Sequence, residues 1–173
     1  MNLESALKKE HSKSQCDRIV RYIGNDKLRF GELMKLFFSG EYRITQRAAW
    51  PMSYCIRNHP ALASPYLKRF LDELESSDAH PAARRNIVRL LQYVEIPKRF
   101  QGRLMNQCFQ FIEDPGEAIA VKAFSLKILE NLAAVYPEII PELKQIIENR
   151  WDQETAAFRS RGRHILKKIA VRS

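Results

Sequence analysis

Four basic residues, Arg47, Arg84, Lys122 and Arg159, follow one another at intervals of 37, 38 and 37 residues. Two further sets keep nearly the same interval. Leu67, Leu104 and Leu143 are 37 and 39 apart, and Asp78, Asp114 and Asp152 are 36 and 38 apart. Pro60 and Pro97 are separated by 37, and Pro137 follows 40 residues later. Signals of several kinds sharing one period restrict the chain to a stack of similar units. Each such unit buries its apolar face against its neighbours.

Within a period, apolar residues recur every three or four positions, the spacing of one helix face. Strand-like alternation never lasts more than a few residues. Nine stripes can be followed. Cys16, Ile19, Val20 and Ile23 form the first, stopped by Gly24-Asn25. Phe30, Leu33, Met34 and Phe37 form the second, stopped by Ser39-Gly40. The third is Ile44, Ala48, Met52, Cys55 and Ile56, and the fourth is Leu67, Phe70, Leu71 and Leu74. Ala83, Ile87, Leu90, Leu91 and Val94 make the fifth, and Leu104, Cys108, Phe111 and Ile112 the sixth. The seventh, Ile119 to Val135, is apolar nearly all round, which predicts cover on several sides with Phe124 and Leu129 in the core. Ile139, Ile140, Leu143, Ile146, Ile147 and Trp151 make the eighth, and Phe158, Ile165, Leu166 and Ile169 the ninth. Asp114 before Pro115 reads as an N-cap and first helical position for the seventh, with Asp78 in the equivalent place. His80 before Pro81 reads as a helix start. The expectation is an all-α chain.

Its 173 residues, 45% of them apolar, suffice for one domain with a core. We place in it a degenerate helix pair over 12–41, repeats over 42–79, 80–117 and 118–154, and a basic capping helix over 155–173. Cys16, Cys55 and Cys108 are far apart and odd in number, without metal-site spacing, and predict buried reduced thiols. The four histidines suggest neither a metal site nor a triad. The first ten residues contain no apolar core of a secretory signal, and Lys122, Lys127 and Glu130 interrupt the most apolar stretch. A cytoplasmic protein without membrane span, metal, cofactor or small-molecule substrate is therefore expected.

The segments Asp78–Leu91, Glu117–Leu126 and Thr155–Arg163 resemble first helices of HEAT-type, armadillo-like repeats, with a basic residue among small and aliphatic ones. The resemblance covers about residues 42–173. It implies an α-solenoid of about four helical hairpins plus a C-terminal helix, used for binding proteins or nucleic acids.

Two groups of residues are candidates for such binding. Arg43, Arg47, Trp50, Tyr54 and Arg57 share one face of the third helix, an interleaving of bases and aromatics suited to phosphate contact and stacking. The competing reading packs Trp50 and Tyr54 against the N-terminal pair. Pro51 interrupts the hydrogen bonding of that helix. The second group is basic: Arg85, Arg89 and Arg103, then Arg159, Arg161, Arg163 and Lys167. Residues 155–173 carry +6 of the total +9, whereas 104–154 carry −5. A continuous nucleic-acid ridge requires the middle to be basic as well. The recurrent Arg47, Arg84, Lys122 and Arg159 read better as internal ties to capping Asp residues or loop carbonyls of a neighbouring repeat.

There is also a distant overall similarity to DNA-alkylation-repeat glycosylases, whose chemistry requires an acid among aromatics in a basic channel. Asp72 or Glu73 with Trp50 or Trp151 would be the candidates, but they lie in an ordinary helical stretch and in distant repeats. The expectation is a non-catalytic macromolecule-binding or scaffold module with a protein partner. Nucleic-acid binding is the alternative.

Overall fold

The structure is a computed structural model describing residues 1–172. Ser173 and the side chain of Arg172, at the end of the expected capping helix, lie outside the described residues. Among the described residues there are ten α-helices and no strand. The chain divides into two compact units, Met1–Val94 and Glu95–Ser173. Their boundary falls in the link between the two helices of the 80–117 segment.

The first unit contains α1 (Leu3–Lys9), α2 (Lys13–Ile23), α3 (Lys27–Phe37), α4 (Tyr42–Asn58), a 3-10 segment (Pro60–Tyr66), α5 (Leu67–Glu75) and α6 (Pro81–Leu91). Short polar side chains start several of these helices. The Asn2 Oδ1, Ser12 Oγ and Asp26 Oδ1 atoms accept the amides of Ser5, Gln15 and Leu28 at 2.8, 3.1 and 2.8 Å. Gly24, with φ +52°, ends α2 in a conformation that a side chain would oppose. The central element is α4, which packs against α1, α2, α3 and α6. It buries Ile44, Ala48, Met52, Cys55 and Ile56, and runs unbroken through Pro51. Phe30, Phe37 and Phe70 complete the core around it.

The second unit contains α7 (Lys98–Glu113), α8 (Ile119–Ala133), a 3-10 turn (Pro137–Ile139), α9 (Ile140–Arg150), another (Trp151–Gln153) and α10 (Ala156–Arg172). Here α8 is central, lying along α7 and α10. Leu126 and Leu129 of α8, Leu104 and Ile112 of α7, Leu143 and Ile147 of α9 and Phe158 of α10 are fully enclosed. Phe124, expected in the core, is only half-buried. The approach of α9 and α10 is set by Gly162. A Cβ placed there would lie 2.9 Å from Ile147 Cγ2 and 3.4 Å from Trp151 Cζ3.

All nine expected helices are present, as α2 to α10. The tenth, α1, was not foreseen. It has seven residues and buries Leu3, Ala6 and Leu7. The expected aspartate caps need correction. Asp114 does not cap α8, which begins at Ile119 behind Ala118. It ends α7 instead and turns the link, its Oδ1 accepting the Gly116 amide at 2.8 Å. Asp78 does not cap α6 either. There His80 Nδ1 accepts the Ala82 amide at 3.1 Å ahead of Pro81, as the His-Pro pair predicts. The periodic aspartates thus mark links between helices, because Asp favours turns as strongly as N-caps.

Leu129→Ala is expected to lower stability by about 2–5 kcal/mol. Gly162→Ala should cost about 1–3 kcal/mol, through overpacking against Ile147. Pairing Gly162→Ala with Ile147→Val should recover part of that loss, as read by denaturant unfolding. A loss unchanged by the second substitution would show that the contact is not what excludes a side chain at Gly162.

Candidate functional site

The end of a helix leaves its last carbonyls without intrahelical partners. Three guanidinium groups meet that need here. Arg47 on α4 donates to the Leu7 and Lys8 carbonyls at the end of α1, at 2.9 and 2.8 Å. Arg84 on α6 donates to the Ser76 carbonyl just past α5, at 3.2 Å. Arg150 at the end of α9 donates to the Glu113 carbonyl at the end of α7, at 2.9 Å.

Lys122 occupies the next recurrent position and is enclosed. Its ammonium reaches Glu154 at 2.7 Å, with side-chain exposures of 5% and 4%. Arg150 reaches the same carboxylate oxygen through Nε and Nη2, at 2.9 and 2.6 Å. Burial by itself would raise the Glu154 carboxyl, but the hydrogen bonds from Lys122 and Arg150 outweigh it and hold the group below its ordinary 4.5. Glu130 on α8 is a similar acceptor nearer the surface. Lys168 and Lys127 bond to it, the latter at 3.0 Å, and His164 Nε2 lies 3.5 Å away. Burial again opposes those bonds, and the carboxyl is again held low. Glu130, Lys168, Leu143 and Ile165 line part of a cavity of about 250 Å³.

These observations sort the candidate residues. Arg47 is committed to the end of α1. Trp50 packs against His11, ring centroids 5.3 Å apart. Tyr54 receives Lys13 over its ring at 4.8 Å. The aromatic half of the α4 face is therefore turned to α1, α2 and the link between them. Arg43 is exposed at the start of α4.

Further along α4 the structure gathers a group that only partly coincides with the candidates. Arg57 lies between two rings, 5.9 Å from the Tyr54 centroid and 5.8 Å from that of Tyr93. Arg89 on α6 donates to Ser53 Oγ at 3.3 Å, one turn before Arg57. Arg85 is exposed one turn before Arg89. Among the described residues no carboxylate pairs with Arg57, Arg85 or Arg89. Tyr93, 66% exposed, was missed as a site residue. Its signal was the spacing Arg85, Arg89, Tyr93, at i, i+4 and i+8.

The remaining candidates belong to the second unit. Arg103 is half-buried on α7. Arg159, Arg163 and Lys167 follow one another at four-residue steps on α10, and Arg163 stands 5.8 Å from the Trp151 ring. Arg161 is half-buried. Of the glycosylase candidates, Asp72 pairs with Lys68 at 2.7 Å on α5 and Trp50 packs on His11.

The three thiols are buried and free. Burial pushes Cys16 up to about 11 and Cys55 and Cys108 up to about 12, so none is a nucleophile at neutral pH. Among the described residues no group of His, Cys, Asp and Glu side chains could hold a metal ion. No helix among them is long and apolar enough to cross a membrane.

A family described as HEAT repeat domain matches residues 3–169. No curated protein and no solved structure matches the chain.

Glu154→Gln should destabilise the fold by about 3–5 kcal/mol, because it leaves Lys122 buried beside an uncharged acceptor. The pH dependence has a definite sign. The folded carboxyl titrates below its unfolded value, so its contribution is complete above about pH 4.5 and is lost as pH falls through the folded value. Acid titration of Glu154→Gln should therefore show a shallower decline below pH 4.5 than the parent. Parallel declines would contradict the assignment.

Proposed function

The chain belongs to the HEAT repeat family, and on that footing we propose that it is a non-catalytic binding module whose partner is a protein. The coarse part of this follows from the family, a helical-repeat scaffold or binding domain. The choice of a protein partner rests on one observation. The bases that recur with the repeat, which would have to form a phosphate-binding ridge, are used internally. Arg47 and Arg84 hold helix-end carbonyls, and Lys122 holds the buried Glu154. Only Arg159, the last of the four, lacks such a tie among the described residues.

The absence of catalysis is part of the same proposal. The acid nearest to a glycosylase role, Asp72, is exposed and paired with Lys68 rather than set among aromatic rings.

Nucleic-acid binding remains the second reading, because Arg159, Arg163 and Lys167 align on α10 with no carboxylate partner among the described residues. The two readings separate on a salt titration. For a protein-binding module, duplex and single-stranded oligonucleotides should bind no tighter than about 10–100 μM at physiological salt. A nucleic-acid-binding protein would bind below micromolar and resist competitor. Arg159→Gln with Arg163→Gln would then flatten the salt slope by about one unit per lost phosphate contact. That outcome, or release of an alkylated base from DNA, would overturn the proposal.

A further inference from the structure

Four bases of the first unit pair with an acid close in sequence. Lys8 pairs with Glu4, Lys13 with Asp17, Arg29 with Asp26 and Lys68 with Asp72. Arg57, Arg85 and Arg89 have no carboxylate partner among the described residues: Arg57 lies one turn after Ser53 on α4, Arg89 of α6 donates to that serine, and Arg85 lies one turn before Arg89. Two of them are also held in place. The Tyr54 and Tyr93 rings flank the Arg57 guanidinium, and Ser53 Oγ anchors Arg89. Holding a long side chain in advance removes part of the ordering cost of a later contact. The first unit has sixteen basic and ten acidic side chains, so its wider field also favours an anion.

The rings decide between two kinds of anion. A single strand of nucleic acid stacks its bases on open aromatic faces. Tyr54 is already taken by Lys13 and Arg57, and Trp50 is packed on His11. Of Trp50, Tyr54 and Tyr93, Tyr93 offers the exposed ring, and Arg57 lies against it, while Tyr42, exposed at the start of α4, is packed on His80. The aromatics here serve to position cations. A planar guanidinium presents a fork that accepts a carboxylate with two parallel hydrogen bonds.

We propose that Arg57, Arg85 and Arg89, positioned by Tyr54, Tyr93 and Ser53, form the docking surface for an acidic segment of a partner protein. This rests on the binding-module reading and names the chemistry of its partner. The segment would carry several Asp or Glu side chains close in sequence, with its carboxylates facing the three guanidinium groups. Tyr93 would cover the apolar part of the same contact.

The test uses the full chain with two fluorescein-labelled probes of equal charge, an oligoglutamate peptide and a single-stranded oligothymidylate. Arg57→Gln with Arg85→Gln removes two exposed charges, neither of which donates a hydrogen bond in the fold. The double variant should bind oligoglutamate about tenfold more weakly. Removing the same charge from α10, as Arg159→Gln with Arg163→Gln, should change that affinity less than about twofold. Tyr93→Leu keeps every charge and should still weaken the peptide, which a purely electrostatic attraction would not do. Thermal unfolding of each variant checks that the fold persists, and Arg57→Lys serves as a milder second probe, since an ammonium lacks the fork. Equal losses from the two double variants would overturn the docking site while leaving the binding-module reading intact. Absence of peptide binding would also overturn it. Tighter binding of oligothymidylate, lost on substituting Arg57 and Arg85, would overturn both.

Discussion

Unpaired carbonyls at helix ends are the constraint around which this chain is arranged. A stack of short helices has many ends, and each leaves carbonyls whose partners must come from outside the helix. Arg47, Arg84 and Arg150 each extend from one helix to the carbonyl end of another. A guanidinium suits this because its several donors keep a fixed geometry and its charge complements the negative pole of a helix end. The same side chains give each unit contacts across its layers that apolar packing alone would leave free to slide. Three of the four bases that recur with the repeat, Arg47, Arg84 and Lys122, are thus structural in use, so their periodicity does not by itself mark a binding surface.

The architecture was legible in the residues because both of its signals are local. Three- and four-residue spacing located α2 through α10, and Gly24 and the His80-Pro81 pair marked a stop and a start that the backbone keeps. The seven-residue α1 was not legible. It offers two turns of pattern, and Leu3, Ala6 and Leu7 are hidden by contacts with α2, α3 and α4 that only the fold supplies. Asp78 and Asp114 were legible as punctuation but misassigned, since the same side chain caps a helix or turns a link depending on where the next helical dihedral begins.

The site was less legible than the fold for a related reason. The α4 face could be drawn from spacing, but which of its members would be consumed internally could not. Arg47 and Arg57 differ by ten positions and look alike in sequence. One lies over the end of α1 and the other between two tyrosines, a difference set by what lies opposite. Tyr93 escaped because it lies off the apolar stripe of Ala83, Ile87, Leu90, Leu91 and Val94, and spacing alone does not tell an exposed tyrosine that positions a cation from an ordinary surface one. Ser53 escaped because a serine inside a helix normally bonds back to its own chain. It does so here, to the Ala49 carbonyl at 2.9 Å, while also receiving Arg89.

The buried meeting of Lys122, Arg150 and Glu154 has a kinetic side. Lys122 and Glu154 are 32 residues apart, on opposite sides of α9 in sequence. If α7 and α8 closed on each other before the segment after α9 arrived, an ammonium would sit in the core without its carboxylate, a state disfavoured by several kcal/mol. Partly docked forms of the second unit are therefore poor resting places. The penalty shifts population toward species in which α8, α9 and the link into α10 are either all in place or all released. A solenoid built only of leucine and isoleucine could fray from its end one helix at a time. Here Lys122, Arg150 and Glu154 couple α8 to the end of α9 and the link that follows it, so hydrogen exchange across α8 and the end of α9 is expected to share one rate-limiting excursion.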